Sequence, residues 1–241
     1  MTAQEHCMAA RKNRSPVFEC IATSLEDALA IEQFGGQRIE LVSALSQGGF
    51  TPNEGLIKAV LDRVKIPVAV ILRPNKASFR YSPNDLLEMK NDIKRFGQLG
   101  VRHVVTGMLD EDGIADIESL EQLLRDTCLT VTFHRAIDLT SNIELSLQRI
   151  NDCERVTHIL TSLGWGAVID NLDRLEWYAG RARPRLILAS GITHRNAPRI
   201  CQAARQFGTD IHIGTALRHG DAMKPVDPFL VEALAGVLGV K

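Results

Sequence analysis

The sequence predicts a single eight-stranded (β/α)8 barrel, the TIM-barrel architecture. Three observations carry that expectation. Short apolar, β-branched runs recur eight times. Amphipathic stretches with helix-start signals lie between them. Successive runs start roughly 20 to 35 residues apart, the span of one βα unit. Eight such units in a row fit a closed barrel better than an open doubly wound sheet. The first run is not followed by G-x-G-x-x-G, which argues against a dinucleotide-binding sheet.

The strand runs are 17–21, 38–42, 68–72, 103–106, 129–134, 156–161, 185–189 and 210–213. Most lack clean apolar/polar alternation, as expected of parallel strands buried on both faces. Thr23-x-x-Glu26 and Ser141-x-x-Glu144 have the form of capping boxes. Thr51-Pro52-Asn53-Glu54 and Ser82-Pro83-Asn84-Asp85 add proline at a first helical position, and Asp227-Pro228 repeats the device before the last helix. Gly35 and Gly100 stand where helices should stop. The expected division is a tail over 1–15 and a barrel domain over 16–241.

Composition excludes several classes of function. Of 241 residues, 45% are apolar and 24% charged, with a formal net charge of -1, so neither nucleic acid nor a membrane is expected as partner. The five cysteines (Cys7, Cys20, Cys128, Cys153 and Cys201) are scattered, odd in number and without a C-x-x-C pair. Reduced thiols in a cytoplasm are the simple reading. The first fifteen residues have no apolar core of signal-peptide length, and no run approaches the roughly 18 apolar residues of a membrane span.

Motifs at the strand ends are more specific. They run Phe18-Glu19-Cys20, then Arg38-Ile39-Glu40-Leu41 with Gln47-Gly48-Gly49-Phe50-Thr51-Pro52. Leu72-Arg73-Pro74 and Phe79-Arg80-Tyr81-Ser82 follow, then Val105-Thr106-Gly107-Met108 with Leu109-Asp110-Glu111-Asp112-Gly113. Val131-Thr132-Phe133-His134-Arg135-Ala136-Ile137-Asp138 and Ile159-Leu160-Thr161-Ser162 complete the set. In order and spacing these resemble the CutC family, the copper homeostasis protein family, over about residues 17 to 215. The resemblance implies a barrel, a cytoplasmic location, a homo-oligomer (dimer or higher) and a link to copper tolerance. It implies no settled reaction. Some members carry two cysteines proposed to bind copper(I). The first matches Cys20, which makes Cys20 the candidate copper ligand; the second falls where this chain has Val42. A thiolate pair is the chemistry that favours soft copper(I).

In a barrel the working site lies at the C-terminal ends of the strands. Period-two alternation places Glu19, Glu40, Thr130, Thr132, His134 and His212 inward, with Arg73 at the mouth. It turns Cys20 toward the helices. Glu19, Glu40, Arg73, His134 and His212 are thus the candidate catalytic cluster, with carboxylate and histidine as base and acid and Arg73 holding an anion. The competing reading is an ion-pair network that only holds strands in register. Arg135 and Asp138 form a candidate rim pair. Asp110, Glu111 and Asp112 make either a cation loop or a solvated turn. Trp165 lines or covers the mouth, and Trp177 belongs to the core.

Ser190, Gly191, Gly214 and Thr215 lie after the seventh and eighth strands, where many barrels hold phosphate, and Arg218 follows one turn on. They suggest a small-molecule enzyme or binding protein with a phosphate or carboxylate ligand at the mouth. A metal-handling protein and a non-catalytic scaffold are the other readings.

Overall fold

The computed structural model describes residues 15–76 and 78–239, so the expected tail lies outside the described residues apart from Ser15. Eight strands close into one parallel barrel in sequence order. They are β1 (Phe18–Ala22), β2 (Arg38–Leu41), β3 (Val68–Ile71), β4 (His103–Thr106), β5 (Thr130–Phe133), β6 (Val156–Thr161), β7 (Arg185–Leu188) and β8 (Asp210–Ile213). The barrel closes where Glu19 of β1 stands beside His212 of β8. Around it run α1 (Leu25–Gln33), α2 (Glu54–Arg63), α3 (Pro83–Leu99), α4 (Ile117–Leu124), α5 (Ile143–Asp152), α6 (Leu175–Ala179), α7 (Ala197–Phe207) and α8 (Pro228–Leu238). No helix among the described residues is long and apolar enough to cross a membrane.

Strand alternation separates two interiors. Outward residues such as Phe18, Ile39, Val70, Val104, Val131, Phe133 and Ile211 form the main core with the helices. Inward residues form small apolar clusters, Val42–Ala69–Ile71–Val105 and Leu160–Ile187–Ala189, sandwiched between polar layers. The lower polar layer comes from the first residues of the strands. Asp210 accepts from the guanidiniums of Arg38 at 3.1 Å and Arg185 at 2.7 Å, and from the Val17 N–H at 3.0 Å. Arg38 also grips Glu19. Beside them His103 meets the hydroxyls of Thr130 and Thr132 at 2.7 and 2.8 Å. Two guanidiniums thus face two carboxylates in a space that barrels usually fill with branched apolar side chains.

Three helix starts differ from the sequence expectation. α1 is capped by Ser24, which accepts from the Asp27 N–H, and not by Thr23. The carboxylate one turn in is therefore Asp27, not Glu26. It is buried because it accepts from Thr23 and pairs with Arg218 at 2.7 Å. α5 is capped by Asn142, while the Ser141 hydroxyl donates to the Asp112 carbonyl. α2 is capped by Asn53, so Pro52 precedes the helix; Thr51 is used instead as acceptor for the Arg73 N–H. In each case the expected hydroxyl is engaged by a loop beside the mouth or by a neighbouring turn. The Ser82 box with Pro83, the Asp227 cap and the Gly100 stop occur as expected. Cys20, Cys128, Cys153 and Cys201 are free thiols.

Burial holds His103 and His158 neutral, pushing them down to about 4 and about 3; Arg38 adds to the effect at His158. A histidine depressed in the folded state binds its proton first in the unfolded chain. Stability is therefore complete above pH 6.5 and falls as pH drops toward 4 and 3. Equilibrium urea unfolding from pH 7 to pH 4 should show this loss, and His103→Gln should lower its slope by about one proton. An unchanged slope in His103→Gln would rule the assignment out.

Candidate functional site

The C-terminal ends of the strands open on a cavity of about 420 Å³. Glu40, Arg73, His134 and His212 all line it, together with Phe79 and Arg135. Residues 189–192 and 213–215 form the opposite rim. Four of the five candidate catalytic residues therefore meet in one space. Glu19 does not line it. It lies one layer below, 1% exposed, between Arg38 and the His212 Nδ1 at 2.7 Å. Burial by itself would raise its carboxyl, but Arg38 and His212 overcome burial and hold it well below the usual carboxylate range. Glu19 is the anchor of the cluster rather than part of its working surface.

Glu40 sits beside the cavity with little to hold its charge. The His212 Nδ1 comes within 3.4 Å of Glu40 Oε2, but its hydrogen bond goes to Glu19. Oε2 is buried and has no hydrogen-bond partner. Burial pushes the Glu40 carboxyl up to about 7, with His212 pulling down and Glu19 pushing further up. Burial would lower His212, yet Glu40 and Glu19 together raise it. A carboxyl raised to about 7 thus stands beside an imidazole raised above its ordinary value, which suits general acid–base work.

Arg73 is held along the wall. Its Nη1 donates to the carbonyls of Gly48 at 3.1 Å and Gly49 at 3.4 Å. Its guanidinium lies 5.6 Å from the Phe50 ring and 5.0 Å from the Phe79 ring, within cation–π range. Its Nε is buried without a partner. His134 caps the short 3-10 turn Arg135–Leu139, with Nδ1 accepting from the Ala136 N–H at 3.2 Å. Gly107 is required beside it, since a Cβ there would stand 2.6 Å from Nδ1. Burial, then Arg73, pushes His134 down to about 3, so the ring is neutral.

The remaining candidates divide. Arg135 and Asp138 pair at 3.0 Å, and Asp138 also accepts from the Ser162 N–H and hydroxyl, which ties it to the end of β6. Ser190, Gly191, Gly214 and Thr215 line the cavity. The Ser190 hydroxyl donates to the Gly166 carbonyl, so it is already engaged. Both glycines answer to packing: a Cβ on Gly191 would stand 2.5 Å from the Ala167 Cβ, and one on Gly214 2.6 Å from Ile21. Arg218 is fully buried against Asp27 and the Ile21 and Gly214 carbonyls, so it is not an anion ligand. Asp110 pairs with Arg149 at 2.7 Å and accepts two backbone N–H groups of its own turn. Trp165 is 79% exposed and outside the cavity lining, and Trp177 is only partly buried, under Arg181. Sequence reasoning missed Phe79, which packs 4.6 Å from the His134 ring. It also missed Arg38, Arg185 and Asp210. The parity that turned Glu40 and His212 inward applies equally to Arg38 and Asp210 on the same strands.

Cys20 faces the helices, fully buried in the main core under Gly36. Burial pushes its thiol well up, the reverse of what a copper thiolate needs. Val42, where a second thiol would stand, packs inside the barrel with Ala69 and Ile71. A thiolate copper(I) site does not fit these residues. Ligand atoms of Glu19, Glu40 and His212 do lie within 4.8 Å of one another. The Arg38 guanidinium already supplies the positive charge at Glu19, which disfavours a cation there.

A family model described as the CutC family matches residues 17–215. The chain is similar to the crystal structure of CutC from Streptococcus agalactiae, a protein named for copper homeostasis. The two are 30% identical over 83% of this chain and 98% of that one, with a TM-score of 0.75. At the level of fold it also matches N-(5'-phosphoribosyl)anthranilate isomerase from Pyrococcus furiosus, 14% identical over 94% of this chain and 99% of that one, TM-score 0.60. The tryptophan synthase α-subunit of the same organism is 14% identical over 93% and 98%, TM-score 0.64. At such identities the likeness is one of fold alone.

The two glutamates should behave oppositely on neutralisation. Glu19→Gln leaves Arg38 and Arg185 to share Asp210 alone and is expected to cost about 3–5 kcal/mol in urea unfolding. Glu40 has a raised carboxyl, so the stability it contributes is present at acid pH and is lost as pH rises through about 7. Glu40→Gln should therefore gain on the parent protein as pH rises from 6 to 8. Equal losses for both variants at every pH would contradict this placement.

Proposed function

The chain belongs to the CutC family, and from that premise we propose that it serves copper homeostasis through a small anionic molecule bound at the barrel mouth. Copper held by Cys20 is not the basis of this reading. The observation that carries the proposal is Arg73: a cavity-lining guanidinium fixed by two backbone carbonyls and two phenyl rings, its Nε buried and without a partner among the described residues. A guanidinium immobilised in this way matches a phosphate or carboxylate and loses little entropy on binding it. Arg135, paired with Asp138, lines the same cavity. Glu40 and His212 face the same space and supply the proton donor and acceptor. The protein is thus read as a small-molecule enzyme or binding protein. A cytoplasmic location and a homo-oligomeric state are part of the same proposal and rest on the family resemblance.

A ligand that binds only the folded protein stabilises it in proportion to the logarithm of its concentration. Phosphate at ten times its Kd should add about 1.4 kcal/mol and raise Tm by roughly 3–5 °C. Arg73→Ala should abolish the rise. If phosphate, sulfate and sugar phosphates all leave Tm unchanged, the anion reading falls. Copper(I) titration should show no stoichiometric tight site; sub-nanomolar binding lost in Cys20→Ala would overturn the copper part.

A further inference from the structure

We propose that the mouth catalyses enolisation at a carbon next to a carbonyl, with His134 polarising the carbonyl oxygen through its Nε2–H and Glu40 exchanging the proton. The proposal rests on the anion reading above and adds to it the chemical class of ligand and reaction: a carbonyl compound that carries a phosphate or carboxylate.

Three buried polar atoms of cavity-lining residues have no hydrogen-bond partner among the described residues, namely Glu40 Oε2, Arg73 Nε and His134 Nε2. Buried polar atoms are rarely left unmatched, and several around one cavity point to a ligand that completes them. Their kinds are complementary. Glu40 Oε2 is an acceptor. Arg73 Nε carries a proton and is a donor. His134 is also a donor, and its tautomer follows from its neighbours. The Ala136 N–H donates to Nδ1 at 3.2 Å, so Nδ1 holds a lone pair and the single proton of the neutral ring sits on Nε2. The ring cannot turn over freely, because Gly107 closes on the Nδ1 edge and the Phe79 ring packs 4.6 Å from it. Burial with Arg73 nearby keeps the ring neutral. A neutral imidazole donates a hydrogen bond without giving its proton away, which suits an oxygen that becomes enolate-like and then returns to a carbonyl.

The carboxylate comes from β2 and the two donors from the ends of β3 and β5, so three strands bring these groups to one cavity. In the step, Glu40 takes a proton from the carbon beside the carbonyl. The C–H electron pair becomes the C=C bond, and the carbonyl π pair moves onto the oxygen, which His134 Nε2–H stabilises. Glu40 then returns the proton to that carbon: the C=C pair re-forms the C–H bond as the oxygen pair closes the carbonyl again. No oxidant or co-reactant is needed. His212, fixed by Glu19, is a positioning residue that keeps Glu40 poised.

The test compares inorganic phosphate with 2-phosphoglycolate, whose planar carboxylate imitates an enolate beside a phosphate. Isothermal titration near neutral pH in two buffers of different ionisation enthalpy reads affinity and proton uptake together. The expected result is 2-phosphoglycolate at least about tenfold tighter than phosphate. About one proton should be taken up on binding, and the uptake should be lost in Glu40→Gln. His134→Leu should remove the advantage while phosphate binding stays, and His134→Gln, which keeps an N–H donor, should restore part of it. In the unliganded parent protein, nitrogen-15 spectra should show the Nε2–H tautomer of His134. Phosphate binding without any advantage for 2-phosphoglycolate overturns the enolisation proposal and leaves the anion reading standing, as does an Nδ1–H tautomer. Failure of phosphate itself to bind overturns the anion reading.

Discussion

Glu19 is the residue on which the barrel interior turns. Its carboxylate is shared between the Arg38 guanidinium below and His212 above, at almost zero exposure. Arg38 in turn shares Asp210 with Arg185. Two positive and two negative groups balance in this floor, so it is neutral as a unit, as a buried charge cluster must be. That balance leaves Glu40 and His212 to settle their charges between themselves. Burial and Glu19 hold the Glu40 carboxyl up against the pull of His212, while the two carboxylates raise His212 against burial. Proton exchange near neutral pH at the mouth is thus a consequence of the ion pairs beneath it.

The hydrogen-bond donors of the cavity are built on the reverse principle. His134 is kept neutral by burial and by Arg73, and its orientation is fixed by a backbone N–H and a glycine contact. Arg73 itself is fixed by Gly48 and Gly49 carbonyls and by Phe50 and Phe79. Rigid donors and a titrating carboxylate in one cavity are an arrangement that a purely structural ion-pair network would not need. A second cavity of about 420 Å³ lies where β4 and β5 begin, lined by Lys90, Lys94, Arg102 and Cys128. It holds no comparable convergence of buried, unpartnered groups.

Most of the fold was legible in the sequence, because apolar runs and helix signals repeat eight times and each strand lies within a residue or so of its run. The caps were harder. Thr23 and Ser24 are adjacent hydroxyls, and Ser141 and Asn142 are adjacent side-chain acceptors. The choice between them was made by tertiary partners, Arg218 for Asp27 and the Asp112 carbonyl for Ser141. In the site, parity placed Glu40, His134 and His212 correctly toward the axis, but parity alone does not give depth. Glu19 and Glu40 both face inward, yet only the second reaches the cavity, because Glu19 pairs in register with Arg38 and Glu40 stands two residues further along β2. Arg218 shows the same limit: one turn beyond a candidate anion loop, it folds inward to Asp27. The family motifs supplied what periodicity did not, the identity of the fold family.

The central claim is that the charged floor fixes Glu19 as a permanent carboxylate and lets Glu40 titrate. Carbon-13 spectra of the glutamate side-chain carboxyls, followed over pH and assigned by Glu19→Gln and Glu40→Gln, measure this directly. One buried glutamate should stay ionised well below the ordinary range and a second should titrate at about 7. Two buried carboxyls that both titrate in the ordinary glutamate range, about 4.3, would contradict it.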